Sequence, residues 1–147
     1  MKNAGRILAN ALIGFATDVI KSLGAAPDRA HTTASVLAAA DLRGISSHGV
    51  AGGTGLRELV DRSKLDAIDM TSLPEISRKE GWAIAAMNAN GGIGPAAAMD
   101  AAQLAGDLAE QHGTGRVHVR DANHFGAACV YVEALIERVC AARATCT

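Results

Sequence analysis

WAIAAMNANGGIGPAAAMDAAQLAGDLAEQHGTGRVHVRDANHFG, residues 82–126, changes its hydrophobic rhythm several times within one stretch. WAIAAMNA (82–89) is an apolar run of strand length. NGGIGP (90–95) is a turn, and Pro95 stands at a first helical position, where its missing N–H costs nothing and its fixed φ already suits the helix. PAAAMDAAQLAGDLAEQHG (95–113) is rich in good helix formers and stops at Gly113. GRVHVRD (115–121) returns to alternation, with Val117 and Val119 on one face and His118 on the other. NHFG (123–126) is a loop. Strand, helix, strand in this order predicts a parallel pair joined by a right-handed crossover.

Upstream the pattern is helical. Ile7, Leu8, Leu12, Phe15, Val19, Ile20 and Leu23 fall on one helical face, and Gly24 closes that helix. Pro27 opens a second helix through DRAHTTASVLAAADLRG (28–44), with Asp28 complementing its positive end. The two form a helical hairpin. In GVAGGTGLRELVDRSKL (49–65), Leu56, Leu59 and Val60 start a third helix, since Gly49, Gly52, Gly53 and Gly55 weaken anything earlier. DAIDMTSLPEISRKEG (66–81) is a connection with a short extended piece. Downstream, AACVYVEALIERVCAARA (127–144) predicts a last helix with an apolar stripe of Val132, Leu135, Ile136 and Val139. The fold class is therefore α/β: an N-terminal helical hairpin arm, then a strand-helix-strand-helix unit. The expected division is a helical, substrate-side region over 1–75 and an α/β portion over 76–147.

A chain of 147 residues has the length of one domain. Its apolar share, 49%, is mostly alanine, with one Trp, one Tyr and two Phe, so the core is thin in large side chains. The formal net charge of −1, both signs interspersed, argues against a nucleic acid or anionic membrane partner. No apolar run reaches the ~18 residues of a membrane span. MKNAGRILANALIGFATDV (1–19) bears a superficial likeness to a signal peptide. Asn10, Gly14 and Asp18 interrupt it with helical spacing, so it reads as a mature helix of a cytoplasmic protein. Cys129, Cys140 and Cys146, odd in number and without a C-x-x-C pair, fit a reducing compartment and argue against a disulfide framework or thiolate zinc.

The glycine turn invites a nucleotide reading, because glycines between strand and helix let backbone approach a phosphate. Its spacing does not match G-x-G-x-x-G: Gly92 and Gly94 are followed by Ala97. The next strand lacks the terminal acidic residue, and the lysine and hydroxyl of a P-loop are absent. A tight turn with glycines at positive φ is the better reading.

Five histidines are present. His31 and His112 lie in or at the end of helices, and His118 lies in a short strand, so ordinary structural roles suffice for them. His48 and His124 each occupy a loop after a regular element, beside glycine and a small polar residue. Such loops often carry chemistry, and imidazole exchanges a proton near neutral pH. Ser47 is placed to bind a substrate oxygen and Asn123 to orient one. Three functions compete on these residues. An oxidoreductase would use one histidine to move a proton while hydride passes to a nicotinamide. A metal-dependent hydrolase would use His48, His118 and His124 as ligands, although no carboxylate is placed as the base for its water. A non-catalytic fragment would oligomerise or bind a partner.

AADLRGISSHGV (39–50) and VRDANHFGAACVYVE (119–133) resemble the malate/L-lactate/ureidoglycolate dehydrogenase family, NAD(P)-dependent 2-hydroxyacid oxidoreductases without a Rossmann fold. The order of elements is similar as well, from about residue 5 to about residue 138. The resemblance implies a helical substrate-side region joined to a largely antiparallel nucleotide-binding domain, a homodimer, and NAD or NADP as cofactor. It implies reversible oxidation of a small 2-hydroxy acid to a 2-keto acid. On this resemblance His124 is the acid/base, Ser47 and His48 lie beside the substrate, and Asn123 belongs to the same loop. Two departures stand out. Gly52 and Gly53 occupy the region of a carboxylate-gripping arginine, leaving Arg57 as the substitute. The chain also stops at RVCAARATCT (138–147), where a further strand and most of the nucleotide domain are expected. The resulting expectation is a C-terminally truncated form, inactive alone, with unpaired strand edges.

Overall fold

The computed structural model describes residues 6–138 and 140–146. The element order is α1 (Ala9–Ser22), α2 (Pro27–Leu42), a 3-10 turn (Ser46–His48), α3 (Leu56–Lys64), β1 (Glu75–Arg78), β2 (Ile84–Asn88), α4 (Gly94–His112), β3 (Arg116–Arg120) and α5 (Ala128–Ile136). This is the expected α/β architecture. Gly24 takes φ +102° and its N–H returns to the Lys21 carbonyl at 2.9 Å, closing α1 as its sequence implies. Gly113 does the same for α4, with φ +77°.

The hairpin seam is narrower than the α1 pattern predicts. Ala16 and Ile20 are buried, with Leu12, Ile13, Val19 and Leu23 packed partly against them. Leu8 (81% exposed) and Phe15 (60% exposed) stand outside, as does Ile7. The reason lies in α2, whose inward residues are mostly alanine. Short side chains bring the axes together and leave no depth for residues at the rim. α2 is buried on both sides, through Ala30, Ala34, Leu37 and Ala38 on one and Val36 on the other. It packs on α1, α4 and α5, so it joins the hairpin to the α/β unit. Ile93 and Ala96 from the start of α4 enter the same core as Leu56, Leu59, Ile68 and Met70. Each fully buried branched side chain, Ile20, Leu37 and Ile93 among them, contributes roughly 1.5–3 kcal/mol. Arg29 crosses this interior and reaches Asp100 on α4 at 2.7 Å.

The sheet has the order β1-β2-β3. β2 and β3 are parallel, with Ala85 opposite Val117 and Met87 opposite Val119, and α4 is their crossover. β1 adds an antiparallel edge, with Ile76 opposite Met87. Ala85 and Met87 are buried while Ala86 and Ile84 are exposed, so helix covers one face only.

α5 is shorter than expected. It ends at Ile136, where the N–H groups of Arg138 and Cys140 both turn back to the Leu135 carbonyl at 3.1 Å. Arg138 then binds Asp107 at 2.8 Å and Glu110 at 2.7 Å on α4, which redirects the chain. Val139, expected on the stripe of this helix, lies outside the described residues.

Candidate active site

Two loops meet where α2, α3 and α4 converge. The first follows α2. Asp41 accepts the Val50 N–H at 2.9 Å and so closes the segment that carries Ser47 and His48. The segment is coiled too tightly for side chains at three positions. A Cβ at Gly49 would lie 1.8 Å from the Asp41 carboxylate, at Gly52 2.4 Å from the Ser47 carbonyl, and at Gly55 2.2 Å from the Gly49 carbonyl. Successive bonds, Gly52 N–H to Gly49 and Gly55 N–H to Gly52, both at 3.0 Å, fold it back over the 3-10 turn. These glycines build the loop instead of merely weakening a helix, and the Gly52 position excludes a long side chain by geometry.

The second loop carries Asn123 and His124 and lies over the first turn of α4. A Cβ at Gly94 would lie 2.3 Å from the carbonyl oxygens of both Asn123 and His124. The Tyr131 hydroxyl of α5 donates to the Phe125 carbonyl, and the two rings stack at 5.6 Å. Burial pushes the Tyr131 phenol above its ordinary pKa, so it stays a donor near neutral pH.

The two loops bring His48 and His124 together, with ring centroids 5.3 Å apart and planes at 39°. Ser47 Oγ lies 2.8 Å from His48 Nδ1, and because a hydroxyl both donates and accepts, this bond tolerates either tautomer. His124 Nδ1 accepts the Gly126 N–H at 3.1 Å, which puts the proton of the neutral ring on Nε2. Burial holds the His124 pKa below its ordinary 6.5; the neighbouring His48 lowers it further, and Glu58 opposes both.

The other expected site residues are placed differently. Both N–H groups of the Asn123 amide donate to backbone, to Gly91 O at 2.6 Å and Gly92 O at 3.0 Å, and its Oδ1 accepts from Arg62 at 2.8 Å. It binds the second loop to the glycine turn and has no N–H left for a substrate. Arg57, the expected substitute guanidinium, is 91% exposed and pairs with Asp61 at 3.6 Å, so the structure does not bring it to the histidines. His118 is exposed on β3, and among the described residues no three His, Cys, Asp or Glu side chains converge to hold a metal. The sequence reading missed Asp41, Glu58 and Arg62. The spacing of Glu58 and Arg62, four apart on α3, was the available signal, but Arg57 and Asp61 share it.

The glycine turn does not fit the pyrophosphate of a dinucleotide. Positive φ falls at Asn90 (51°) and Gly91 (69°), whereas Gly92 and Gly94 are needed for close approach of protein backbone. The carbonyls of Asn123 and His124 crowd the first residue of α4, where an anion would have to approach.

A helical hairpin packed through α2 on α4, the helix that crosses between the strands of a small mixed sheet, and two loop histidines brought to 5.3 Å define an α/β protein with a paired-imidazole site. The model of the malate/L-lactate dehydrogenase family matches residues 7–147, and the chain belongs to that family. It is 35% identical over 130 residues to a malate dehydrogenase of Pyrococcus abyssi, covering 88% of this chain and 35% of that protein. It is 36% identical over 117 residues to an L-sulfolactate dehydrogenase of Methanocaldococcus jannaschii, covering 79% of this chain and 33% of the relative. The solved structure of malate dehydrogenase from Pyrococcus horikoshii superposes with a TM-score of 0.83 at 28% identity, over 91% of this chain and 37% of that one. The chain thus spans about a third of the length of these relatives. Among the described residues no helix is long and apolar enough to cross a membrane.

Proposed function

We propose that these residues form the substrate side of an oxidoreductase that interconverts a small 2-hydroxy acid and its 2-keto acid with NAD or NADP. The cofactor would supply or take the hydride. The glycine turn does not fit its pyrophosphate. The observation that carries the reading is the 5.3 Å approach of His48 and His124, from loops 76 residues apart, in a chain of this family.

His124 is the proposed acid/base: its cationic ring would give the Nε2 proton to the keto oxygen and become the Nδ1–H tautomer, and would take the proton back in the reverse direction, so the Gly126 bond to Nδ1 opens for the step. Ser47 hydrogen-bonds the substrate and His48 polarises the same oxygen. Asn123 acts on the loop instead of the substrate, and exposed Arg57 is left out of the site. A second reading exchanges the two imidazoles. Protonating His124 on both nitrogens forfeits the Gly126 bond, whereas the Ser47 hydroxyl can follow either state of His48. Residues 1–75 form the substrate-side part and 76–147 belong to the nucleotide-binding part. The working protein is proposed to be a cytoplasmic homodimer.

The 147 residues alone are proposed to be inactive, since hydride transfer needs the nicotinamide about 3–3.5 Å from the reacting carbon. Two measurements test the reading. Titration of the labelled chain with malate, lactate or pyruvate should move the ring signals of His48 and His124; silence from both rings with all three acids refutes the substrate site. NAD(P)H oxidation with pyruvate or oxaloacetate should stay at background, and a rate that His124→Ala abolishes overturns the inactivity. If a rate is found, its loss in His48→Ala with retention in His124→Ala selects the second reading.

A further inference from the structure

We infer that Arg62 and Glu58, one turn apart on α3, are positioning residues for His124: Arg62 holds the side chain of Asn123, the residue just before it, and Glu58 holds Arg62. Arg62 Nη2 donates to Asn123 Oδ1 at 2.8 Å and lies 3.4 Å from the Ala67 carbonyl, while its Nη1 is 3.8 Å from Glu58 Oε1. The guanidinium is the element that fixes the orientation of the amide. With Oδ1 toward Arg62, both Asn123 N–H groups meet the Gly91 and Gly92 carbonyls. The reversed amide would set N–H against guanidinium and oxygen against two carbonyls, so all three bonds hold or fail together.

The consequence reaches both loops. Gly55, the residue that closes the His48 segment, is also the one from which α3 starts. The same short helix therefore continues one histidine loop in the chain and grips the other through Arg62. Leu56 and Leu59 fix its rotation by burying one side, which turns Glu58 and Arg62 toward the second loop and leaves Arg57 and Asp61 in solvent. The charged groups acting on His124 are then His48 from the 3-10 turn and Glu58 from α3, and Glu58 is the one that favours its charged form, while Arg62 acts through Asn123. The catalytic meaning of this arrangement rests on the dehydrogenase reading. The mechanical claim does not, and it can be tested without substrate.

The test is NMR of the ¹⁵N-labelled 147-residue chain, following hydrogen exchange of the Asn123 side-chain amide and the ring nitrogens of His124 across a pH titration. Arg62→Gln should speed that exchange about tenfold, the size expected for losing a charge-assisted hydrogen bond, and should shift the His124 ring signals. Arg62→Lys should recover part of both. Glu58→Gln should lower the His124 titration midpoint further, and Asp61→Asn should match wild type. Unchanged Asn123 exchange and His124 signals in Arg62→Gln overturn the proposal, as does equal loosening of amides throughout α1 and α2. If Arg62→Gln does not fold, Glu58→Gln decides, since its pair is only half-buried: unchanged exchange of the Asn123 side-chain amide overturns the claim. Silence of the rings toward hydroxy acids would remove the catalytic meaning while leaving this result intact.

Discussion

A single methyl group at position 94 should move His124. The Cβ of Gly94→Ala would lie 2.3 Å from the carbonyl oxygens of Asn123 and His124 and 2.7 Å from the His124 carbonyl carbon. Carbon and carbonyl oxygen rest about 3.3 Å apart or more, so the loop must retreat by about 1 Å. Overpacking of this kind costs roughly 1–3 kcal/mol, and the better helix propensity of alanine returns at most about 1 kcal/mol. The net expectation is a loss of about 1–2 kcal/mol, which lowers Tm by about 3–8 °C in a chain of this size. Gly14→Ala is the matched control. It makes the same chemical change in the middle of α1, where nothing lies within 4 Å of the new carbon. It should raise stability by about 0.5–1 kcal/mol. Thermal melts of the two variants give the stability signs, and His48–His124 ring cross-peaks report the loop. If Gly94→Ala melts at or above wild type with both ring signals unmoved, the claim that the loop rests on that helix start is wrong.

Two further outcomes follow from the same geometry. Arg29 has a side chain only 8% exposed and depends on Asp100, itself 38% exposed, so Asp100→Ala should cost about 2–3 kcal/mol in urea unfolding. Adding Arg29→Met should recover part of that loss, because the stranded charge is what costs most. His124 titrates below its ordinary 6.5 in the folded chain, so the unfolded chain takes up the proton first. Its contribution to stability is complete above about pH 6.5, declines as pH falls toward the folded value, and is level below it. Urea midpoints of wild type and His124→Gln should therefore converge on acidification; a gap that widens refutes the assignment.

Most of the elements were legible because local chemistry marks them. Pro27 and Pro95 stand at helix starts, Gly24 and Gly113 at helix ends, and the apolar run 82–89 and the alternation in 115–121 give the two parallel strands. The histidine pair was legible as two similar loops, although only the packing of α2 against α4 brings them together. What was not legible depends on which side of an element meets the core. α3 carries two i,i+4 charge pairs, and nothing in its sequence says that Glu58/Arg62 turns inward and Arg57/Asp61 outward; the burial of Leu56 and Leu59 decides it. Asn123 looked like a substrate group because its three bonds go to residues 31, 32 and 61 positions away. Phe15 looked like core because the alanines of α2 do not announce how closely the helices will approach.

Among the described residues β3 sits last in the sheet order, and its far side offers a row of backbone amides and carbonyls to whatever strand arrives there. Arg116 marks one end of that rim with positive charge, while Arg120 at the other is held by Asp121 at 2.6 Å. Two identical rims laid parallel would set Arg116 against Arg116, whereas a strand bearing a carboxylate there would be drawn in. This margin thus discriminates by charge between self-adhesion, the first step of aggregation, and growth of the sheet by a complementary segment.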